Sequence, residues 1–434
     1  MEVKLKKVEK IKGEIEVPGD KSISHRSLIF GAISEGKTEI KNLLKSADCL
    51  STLNCLRNCG IEIEVNNTTI IYGNKFKEPE DILDCGNSGT TMRLLSGVLA
   101  SKPFLSILTG DSSLRKRPMR RIIEPLSKMG AFITGRKENL FAPLVIKGRK
   151  LKGINYKLPV ASAQVKSCII LASLFSNGET VIEELYQTRD HTERMLKYFG
   201  GKIEKKETKI FIPGTQKLYG KQVFIPGDFS SASYFITIGL LVPDSEIIIK
   251  NLGLNPTRTH FLKIIERMGG KVEIIEKEKI CEEEVGTIRV RYTEKLKGTE
   301  IKKEEVPLVI DEIPLIGVIA SVSEGKTVVS GAKELRYKES DRIKALVSEL
   351  KKMGSEIYEK EDGFEIYGVD KLKGNRVNSW NDHRIAMCLT VAGLIAEGET
   401  IVEDADCINI SFPQFYDILS SLKIPLQKKT TSSA

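Results

Sequence analysis

Two short patterns of apolar and polar positions recur along the chain. The first is a turn followed by an alternating stretch: EGKTEIKNL from Glu35, NGETVIEEL from Asn177, EGKTVVSGA from Glu324 and EGETIVEDA from Glu397. PDSEIIIKNL from Pro243 is a looser copy, and SKPFLSILTG from Ser101 occupies an equivalent place. Alternation with period two is the signature of a half-buried strand. The second pattern is a helix end, a glycine and a strand: LRNCGIEIEV, LSKMGAFIT, LKYFGGKIE, IERMGGKVEI and LKKMGSEIYE, carrying Gly60, Gly130, Gly200, Gly269 and Gly354. A glycine just past a helix takes the left-handed conformation that closes the last turn. Copies recur roughly every 70 residues, which predicts about six units of strand, helix, strand, helix, strand, partitioned three to a domain.

The length of 434 residues exceeds what one hydrophobic core usually supports. The turn-rich segments VPGDKS near Val17 and FIPGDFSSAS near Phe224 resemble one another and mark the crossings. The expected domains are therefore 18–226 and a second built from 1–17 with 227–434, the N-terminal strand joining the C-terminal half. The class is α/β, but not a doubly wound dinucleotide fold: GxGxxG between a first strand and helix is missing, as is GxxxxGK[ST].

Composition narrows the function. Charged residues make up 29% and apolar ones 41%, a globular balance. The longest apolar run, Ala386 to Ala396, falls short of the ~18 residues that span a bilayer, and the charged N-terminus lacks the apolar core of a signal peptide. The eight cysteines are scattered, which predicts reduced thiols in a cytoplasmic protein rather than disulfides or zinc. With four histidines and no HExxH, no metal is expected. The net charge of +9 suits either nucleic acid or a small polyanion. A nucleic-acid binder needs basic residues interleaved with aromatics, and with 6% aromatics and one Trp no such stripe is present.

Candidate chemistry sits in loops that open helices. In PGDKSISHR, Asp20 or Ser22 can cap a helix whose free N–H groups attract an anion, with Lys21, Ser22 and Arg26 converging on it. In GNSGTTMR, Asn87, Gly89 and Thr90 offer donors to a carboxylate or phosphate. RKRPM sets Arg117 before a proline, on stiff extended backbone. Ser162 and Gln164 open an apolar helix in SAQVKS, and TRDHTERM offers Arg189. In the second half, IDEIP places Asp311 and Glu312 between apolar stretches, a setting that desolvates a carboxylate and suits it to proton transfer. KESDR holds Lys338, Glu339 and Arg342, with Lys338 and Arg342 expected on one helical face. NDHR puts His383 and Arg384 ahead of a buried helix. Taken singly, each segment also fits a capped helix, a tight turn or a solvated basic loop. Taken together, anion-ready turns in both halves and two carboxylates without evident partners describe an enzyme for two small anions, using acid/base catalysis.

PGDKSISHR, GNSGTTMR, RKRPM, SAQVKS, KESDR and NDHR, in this order over nearly all of the chain, resemble the 5-enolpyruvylshikimate-3-phosphate synthase (3-phosphoshikimate 1-carboxyvinyltransferase) family. The resemblance implies two similar domains, each of three βαβαββ repeats in an inside-out α/β barrel, with the active site in the cleft between them. It implies transfer of the enolpyruvyl group of phosphoenolpyruvate to the 5-hydroxyl of shikimate 3-phosphate, by addition then elimination of phosphate, in the shikimate pathway of aromatic amino acid biosynthesis. No cofactor, metal, membrane or nucleic acid is implied, and a monomer is expected. By motif, Lys21, Ser22, Arg26, Ser162, Gln164, Arg189, Asp311 and Lys338 would hold shikimate 3-phosphate. Lys21, Asn87, Gly89, Arg117, Gln164, Arg342 and Arg384 would hold phosphoenolpyruvate. Asp311 would take the hydroxyl proton, and Glu339 or Lys21 would protonate the enol carbon.

Three positions depart from the family pattern: Ile410 replaces a common lysine, Ala163 a serine and Leu94 a proline. With SAQVKS and TRDHTE, they resemble the branch containing glyphosate-tolerant members (class II). The sister UDP-N-acetylglucosamine enolpyruvyl transferases usually carry a reactive cysteine where this chain has DSSLRKRPM, and no cysteine lies between Cys85 and Cys168. Those enzymes also follow the opening lysine with asparagine, where Ser22 stands here.

Overall fold

In the computed structural model, which describes residues 1–429, the repeats become six four-stranded sheets, with one two-stranded ribbon besides. The copy from Leu83 to Lys147 shows the pattern. Strand Leu83–Asp84 runs parallel to Leu105–Thr109, which pairs antiparallel with Phe141–Lys147, and that strand pairs antiparallel with Phe132–Gly135. Helices Gly89–Leu99 and Arg120–Lys128 fill the two crossovers, giving βαβαββ.

The chain divides into two compact units. The N-terminal unit comprises Gly19–Ile225 and Lys279–Glu283; the C-terminal unit comprises Met1–Pro18, Pro226–Glu278 and Glu284–Ala434, of which 430–434 lie outside the described residues. Each unit closes on a strand borrowed from a distant part of the chain. Gln222–Phe224 lies parallel to Lys37–Lys41 in the N-terminal unit. In the C-terminal unit, Lys12–Glu16 lies parallel to Glu246–Gly253, and Glu2–Lys6 is held between Glu399–Glu403 and Leu426–Lys429.

Three helices of each unit are buried on nearly every side. In the N-terminal unit these are Lys21–Ile33, Gly89–Leu99 and Ala163–Ser173. In the C-terminal unit they are Phe229–Leu241, Ile313–Ser321 and His383–Ile395, the last containing most of the longest apolar run. A helix apolar all round has no face to give to water, so the helices occupy the interior and the sheets the outside. The strands alternate accordingly: Thr38 and Ile40 of Lys37–Lys41 point inward, between exposed lysines. Ile29, Leu95 and Ile170 pack in one core, and Phe235, Ile316 and Leu389 in the other. Truncating one such leucine to alanine costs about 2–5 kcal/mol.

The five helix-closing glycines have left-handed backbones, with φ of 81° at Gly60 and 84° at Gly354. The sixth copy ends differently. After helix Phe415–Ser421 the left-handed position is Lys423, at φ 60°, so the sixth copy carries no glycine to reveal it. Among the described residues no helix is long and apolar enough to cross a membrane, and all eight cysteines are free thiols.

Candidate active site

The N-terminal unit gathers its candidates at the starts of its three inner helices. Asp20, not Ser22, caps Lys21–Ile33, accepting the Ile23 N–H at 2.8 Å. Lys21 begins that helix with Nζ 3.0 Å from Asp48 Oδ2. One turn on, Arg26 donates Nη1 to the Ser22 carbonyl at 2.9 Å, Nε to Thr192 Oγ1 at 2.6 Å and Nη2 to Ser167 Oγ at 2.9 Å. Burial brings the Arg26 guanidinium down to about 10; Glu193 and Asp20 oppose the shift, and Arg189 adds to it. The guanidinium is 3% exposed and each of its nitrogens already donates a hydrogen bond.

Behind Arg26, Lys166 is fully enclosed, with Nζ 2.8 Å from Glu184 Oε1 and 2.6 Å from Glu193 Oε1. Glu184 also accepts from the Thr188 N–H at 3.2 Å and Oγ1 at 2.7 Å, which fixes the turn carrying Arg189. Glu193 and Asp190 are spent on such pairs, Asp190 taking Arg194 Nε at 2.9 Å.

The second cluster surrounds the Gly89–Leu99 helix. Arg117 leaves its short 3-10 turn in extended backbone before Pro118, as the proline requires. Its Nη2 donates to Asn87 Oδ1 at 2.6 Å and to Ser113 Oγ at 3.2 Å, its Nη1 to the Asn87 carbonyl at 3.2 Å. Asn87 is oriented in turn by Asp111, donating Nδ2 to Oδ2 at 2.6 Å. Ser162 caps Ala163–Ser173, accepting the Val165 N–H at 3.4 Å. Gln164 is fixed at both ends: Oε1 accepts from Arg93 Nη1 at 2.5 Å, and Nε2 donates to Thr90 Oγ1 at 2.9 Å. At Gly89, a Cβ would stand 2.9 Å from Arg93 Nη1 and 3.6 Å from Arg117 Nη1, so the absent side chain leaves these cations room.

In the C-terminal unit the candidates converge on Arg342. Its Nε lies 2.8 Å from Asp382 Oδ2, Nη2 2.5 Å from Glu339 Oε2, and Nη1 3.4 Å from Asp311 Oδ1. Three carboxylates push the Arg342 guanidinium above its ordinary value against the opposing effect of burial. Burial pushes the Asp382 carboxyl up, and Arg342 more than cancels it. Arg384 Nε is 3.4 Å from Asp311 Oδ1, and its Nη1 meets the Asp311 carbonyl at 3.4 Å. Burial lowers the Lys338 ammonium, and Arg342 adds to the shift while Asp311 opposes it.

Two expectations are corrected here. Lys338 and Arg342 do not share a helical face: the helix begins at Arg342, capped by Asp341, and Lys338 lies before it in extended backbone. Asp341 accepts the Lys344 N–H at 3.0 Å, and this cap sets the helix start at Arg342 and leaves Lys338 outside the helical spacing. Asp311 and Glu339 are also not without partners, because Arg342 faces both. The setting of Asp311 is cationic rather than apolar.

The sequence reading passed over Asp48, Arg93, Ser167, Thr192 and Asp382. Arg93, Ser167, Thr192 and Asp382 lie inside GNSGTTMR, SAQVKS, TRDHTERM and NDHR, where nothing in the local pattern marks them as supports; Asp48 lies in none of these motifs. Among the described residues no cluster of His, Cys, Asp and Glu could hold a metal ion.

A family model described as EPSP synthase (3-phosphoshikimate 1-carboxyvinyltransferase) matches residues 5–419. The chain is 53% identical over 425 residues to a 3-phosphoshikimate 1-carboxyvinyltransferase of Thermoanaerobacter sp. (strain X514), covering 97% of this chain and 100% of the relative. It is 47% identical to the enzyme of the same name from Bacillus subtilis (strain 168), covering 97% and 99%. An EPSP synthase structure from Acinetobacter baumannii superposes with a TM-score of 0.88 at 39% identity, covering 99% of this chain and 100% of that one.

Proposed function

The chain belongs to the EPSP synthase family, and from that membership we propose how its own residues run the reaction. Its activity is that of a 3-phosphoshikimate 1-carboxyvinyltransferase: the enolpyruvyl group of phosphoenolpyruvate passes to the 5-hydroxyl of shikimate 3-phosphate and phosphate is released, a step of aromatic amino acid biosynthesis.

In the proposed mechanism Lys21, Ser22, Arg26, Ser162, Gln164, Arg189 and Lys338 hold shikimate 3-phosphate. Arg26 and Arg189 meet the phosphate charge. Asn87, Gly89, Arg117, Arg342, Arg384, Gln164 and Lys21 hold phosphoenolpyruvate, the guanidiniums taking its carboxylate and phosphate in bidentate pairs. The 5-hydroxyl oxygen attacks C2 while its proton passes to Asp311. C3 takes a proton from Glu339 or Lys21 and becomes a methyl group. The methyl group then gives a proton back, the C2–phosphate oxygen bond breaks, and the enolpyruvyl ether remains. Fixed guanidiniums around the developing charge stabilise both barriers without reorganising.

The observation that carries this reading is the placement of Asp311 and Glu339 on the two ends of one buried guanidinium, Arg342. One rigid cation thus orients both the group proposed to take the proton from oxygen and the one proposed to deliver it to carbon. We take the enzyme to act in the cytoplasm as a monomer; the eight free thiols support a reducing compartment.

The test is phosphate release from phosphoenolpyruvate in EDTA, with shikimate 3-phosphate or UDP-N-acetylglucosamine as acceptor. Release with shikimate 3-phosphate alone is expected. Release only with the sugar nucleotide would overturn the acceptor assignment, and release with neither would overturn the reading as a whole.

A further inference from the structure

One buried carboxylate beside the proposed base has no part in the mechanism above. Glu312 is 0% exposed and follows Asp311 directly in the chain. Its backbone opens the Ile313–Ser321 helix: the N–H donates to the Val309 carbonyl at 2.8 Å, and its own carbonyl accepts the Ile316 N–H at 3.0 Å. The side chain turns away from helix capping and accepts from Ser230 Oγ at 2.5 Å. Ser230 Oγ accepts in turn from Arg258 Nη2 at 2.9 Å. Arg258 also lies 3.6 Å from Asp228, which caps the Phe229–Leu241 helix by accepting the Ser231 N–H at 2.8 Å. The other oxygen of Glu312, Oε2, is buried with no hydrogen-bond partner among the described residues.

A carboxylate so enclosed is costly unless neighbouring charge needs it. For packing alone, glutamine would accept the same Ser230 hydroxyl without burying a charge. Two features give the charge a use. Burial lowers the Arg384 guanidinium, and the carboxylates of Asp311, Glu312 and Asp228 oppose it, leaving it above its ordinary value. Arg384, in turn, touches both the carboxylate and the carbonyl of Asp311.

We propose that Arg258, Ser230 and Glu312 form a positioning relay that anchors the turn carrying Asp311 and, through the contacts of Asp311, the Arg384 guanidinium. The relay rests on the reading of Asp311 as the base and Arg384 as a phosphoenolpyruvate ligand. Glu312 acts through these two residues and is not itself a catalytic residue. Ser230 transmits position from the Phe229–Leu241 helix, and Arg258 orients its hydroxyl by donating to the oxygen, leaving the proton for Glu312.

The experiment compares Glu312→Gln, Ser230→Ala and Ser230→Thr with the wild-type enzyme in steady-state phosphate release, with folding followed by circular dichroism. Glu312→Gln and Ser230→Ala are expected to lower kcat 10- to 100-fold and raise KM for phosphoenolpyruvate several-fold, with KM for shikimate 3-phosphate within twofold of wild type. Ser230→Thr, which keeps the hydroxyl, is expected to recover most of the loss. A kcat within twofold of wild type in both Glu312→Gln and Ser230→Ala would overturn the relay. So would equal rises in the two KM values, or unfolding of all three variants, since either makes the cluster a packing element. If the wild type itself released no phosphate with shikimate 3-phosphate, the reading of the reaction would fall instead.

Discussion

Arg342 and Asp382 form a salt bridge sealed from solvent: Nε stands 2.8 Å from Oδ2, with 2% and 0% of the two side chains exposed. Asp382 lies outside the proposed reaction and holds the guanidinium on which Glu339 and Asp311 converge. Its loss would take the carboxylate from the buried Nε, since Glu339 and Asp311 hold the other two nitrogens. Asp382→Asn is expected to cost about 3–5 kcal/mol of stability, as breaking a buried pair does, and to lower kcat more than KM for shikimate 3-phosphate. Urea unfolding and steady-state kinetics check the two halves separately.

Proton delivery to carbon can be followed without product. In D2O, adding a deuteron at C3 and then losing a proton leaves deuterium in recovered phosphoenolpyruvate. Glu339→Gln is expected to slow that exchange and turnover together, by at least about 100-fold for loss of a general acid. Mass spectrometry of the recovered substrate reads the result. Unchanged exchange would assign the proton to Lys21.

A methyl group at position 89 meets Arg93 first. The guanidinium it would displace is tied to Gln164 Oε1 at 2.5 Å, so the shift passes to a residue of both substrate sets. Gly89→Ala is expected to raise the inhibition constant of glyphosate more than KM for phosphoenolpyruvate, because the bulkier inhibitor needs the room that the Cβ takes. Equal increases in both constants would defeat this expectation.

The enclosed Lys166 sets an acid limit on stability. Burial raises the Glu184 carboxyl, but the Lys166 ammonium and the hydrogen bonds of Lys205 and Thr188 bring it below its ordinary value. A depressed carboxyl contributes stability that is present above its unfolded value, about 4.3, and lost as pH falls through the folded one. The wild type should therefore lose Tm more steeply than Glu184→Gln below about pH 4.5. Lys166→Met takes the lysine from buried Glu193 and leaves Glu184 to Lys205 and Thr188, and it is expected to lower Tm by roughly 10 °C, for a loss of about 3–5 kcal/mol. Scanning calorimetry from pH 3.5 to 8 tests both.

The repeats were legible because each copy solves the same local problem. Gly60 and Gly354 announce helix ends, and alternating stretches such as TEIKN announce strands with one wet face. Lys423 hid the sixth helix end because its left-handed backbone is imposed by the repeat around it, at about 1–2 kcal/mol, rather than by its residue type. The candidate ligands were legible where they share a loop with a helix start, as Lys21, Ser22 and Arg26 do. Their supports were not. Thr192 and Ser167 reach Arg26 from residues remote in the chain, and Asp48 reaches Lys21 from another helix. Local spacing reports caps and turns; it carries no trace of a hydroxyl that becomes a neighbour only after three helices pack.

The strand Glu2–Lys6 pairs with Glu399–Glu403 on one side and Leu426–Lys429 on the other. Glu2–Lys6 is thus completed only by strands synthesised long after it. At roughly 5–20 residues per second it waits on the order of tens of seconds for its partners. During that time Gly19–Ile225 already has every strand of its three four-stranded sheets and can collapse on its own core. Synthesis therefore imposes an order of assembly on two units of the same architecture. The charged residues that flank Val3 and Leu5 keep the waiting strand soluble until the C-terminal sheet arrives to claim it.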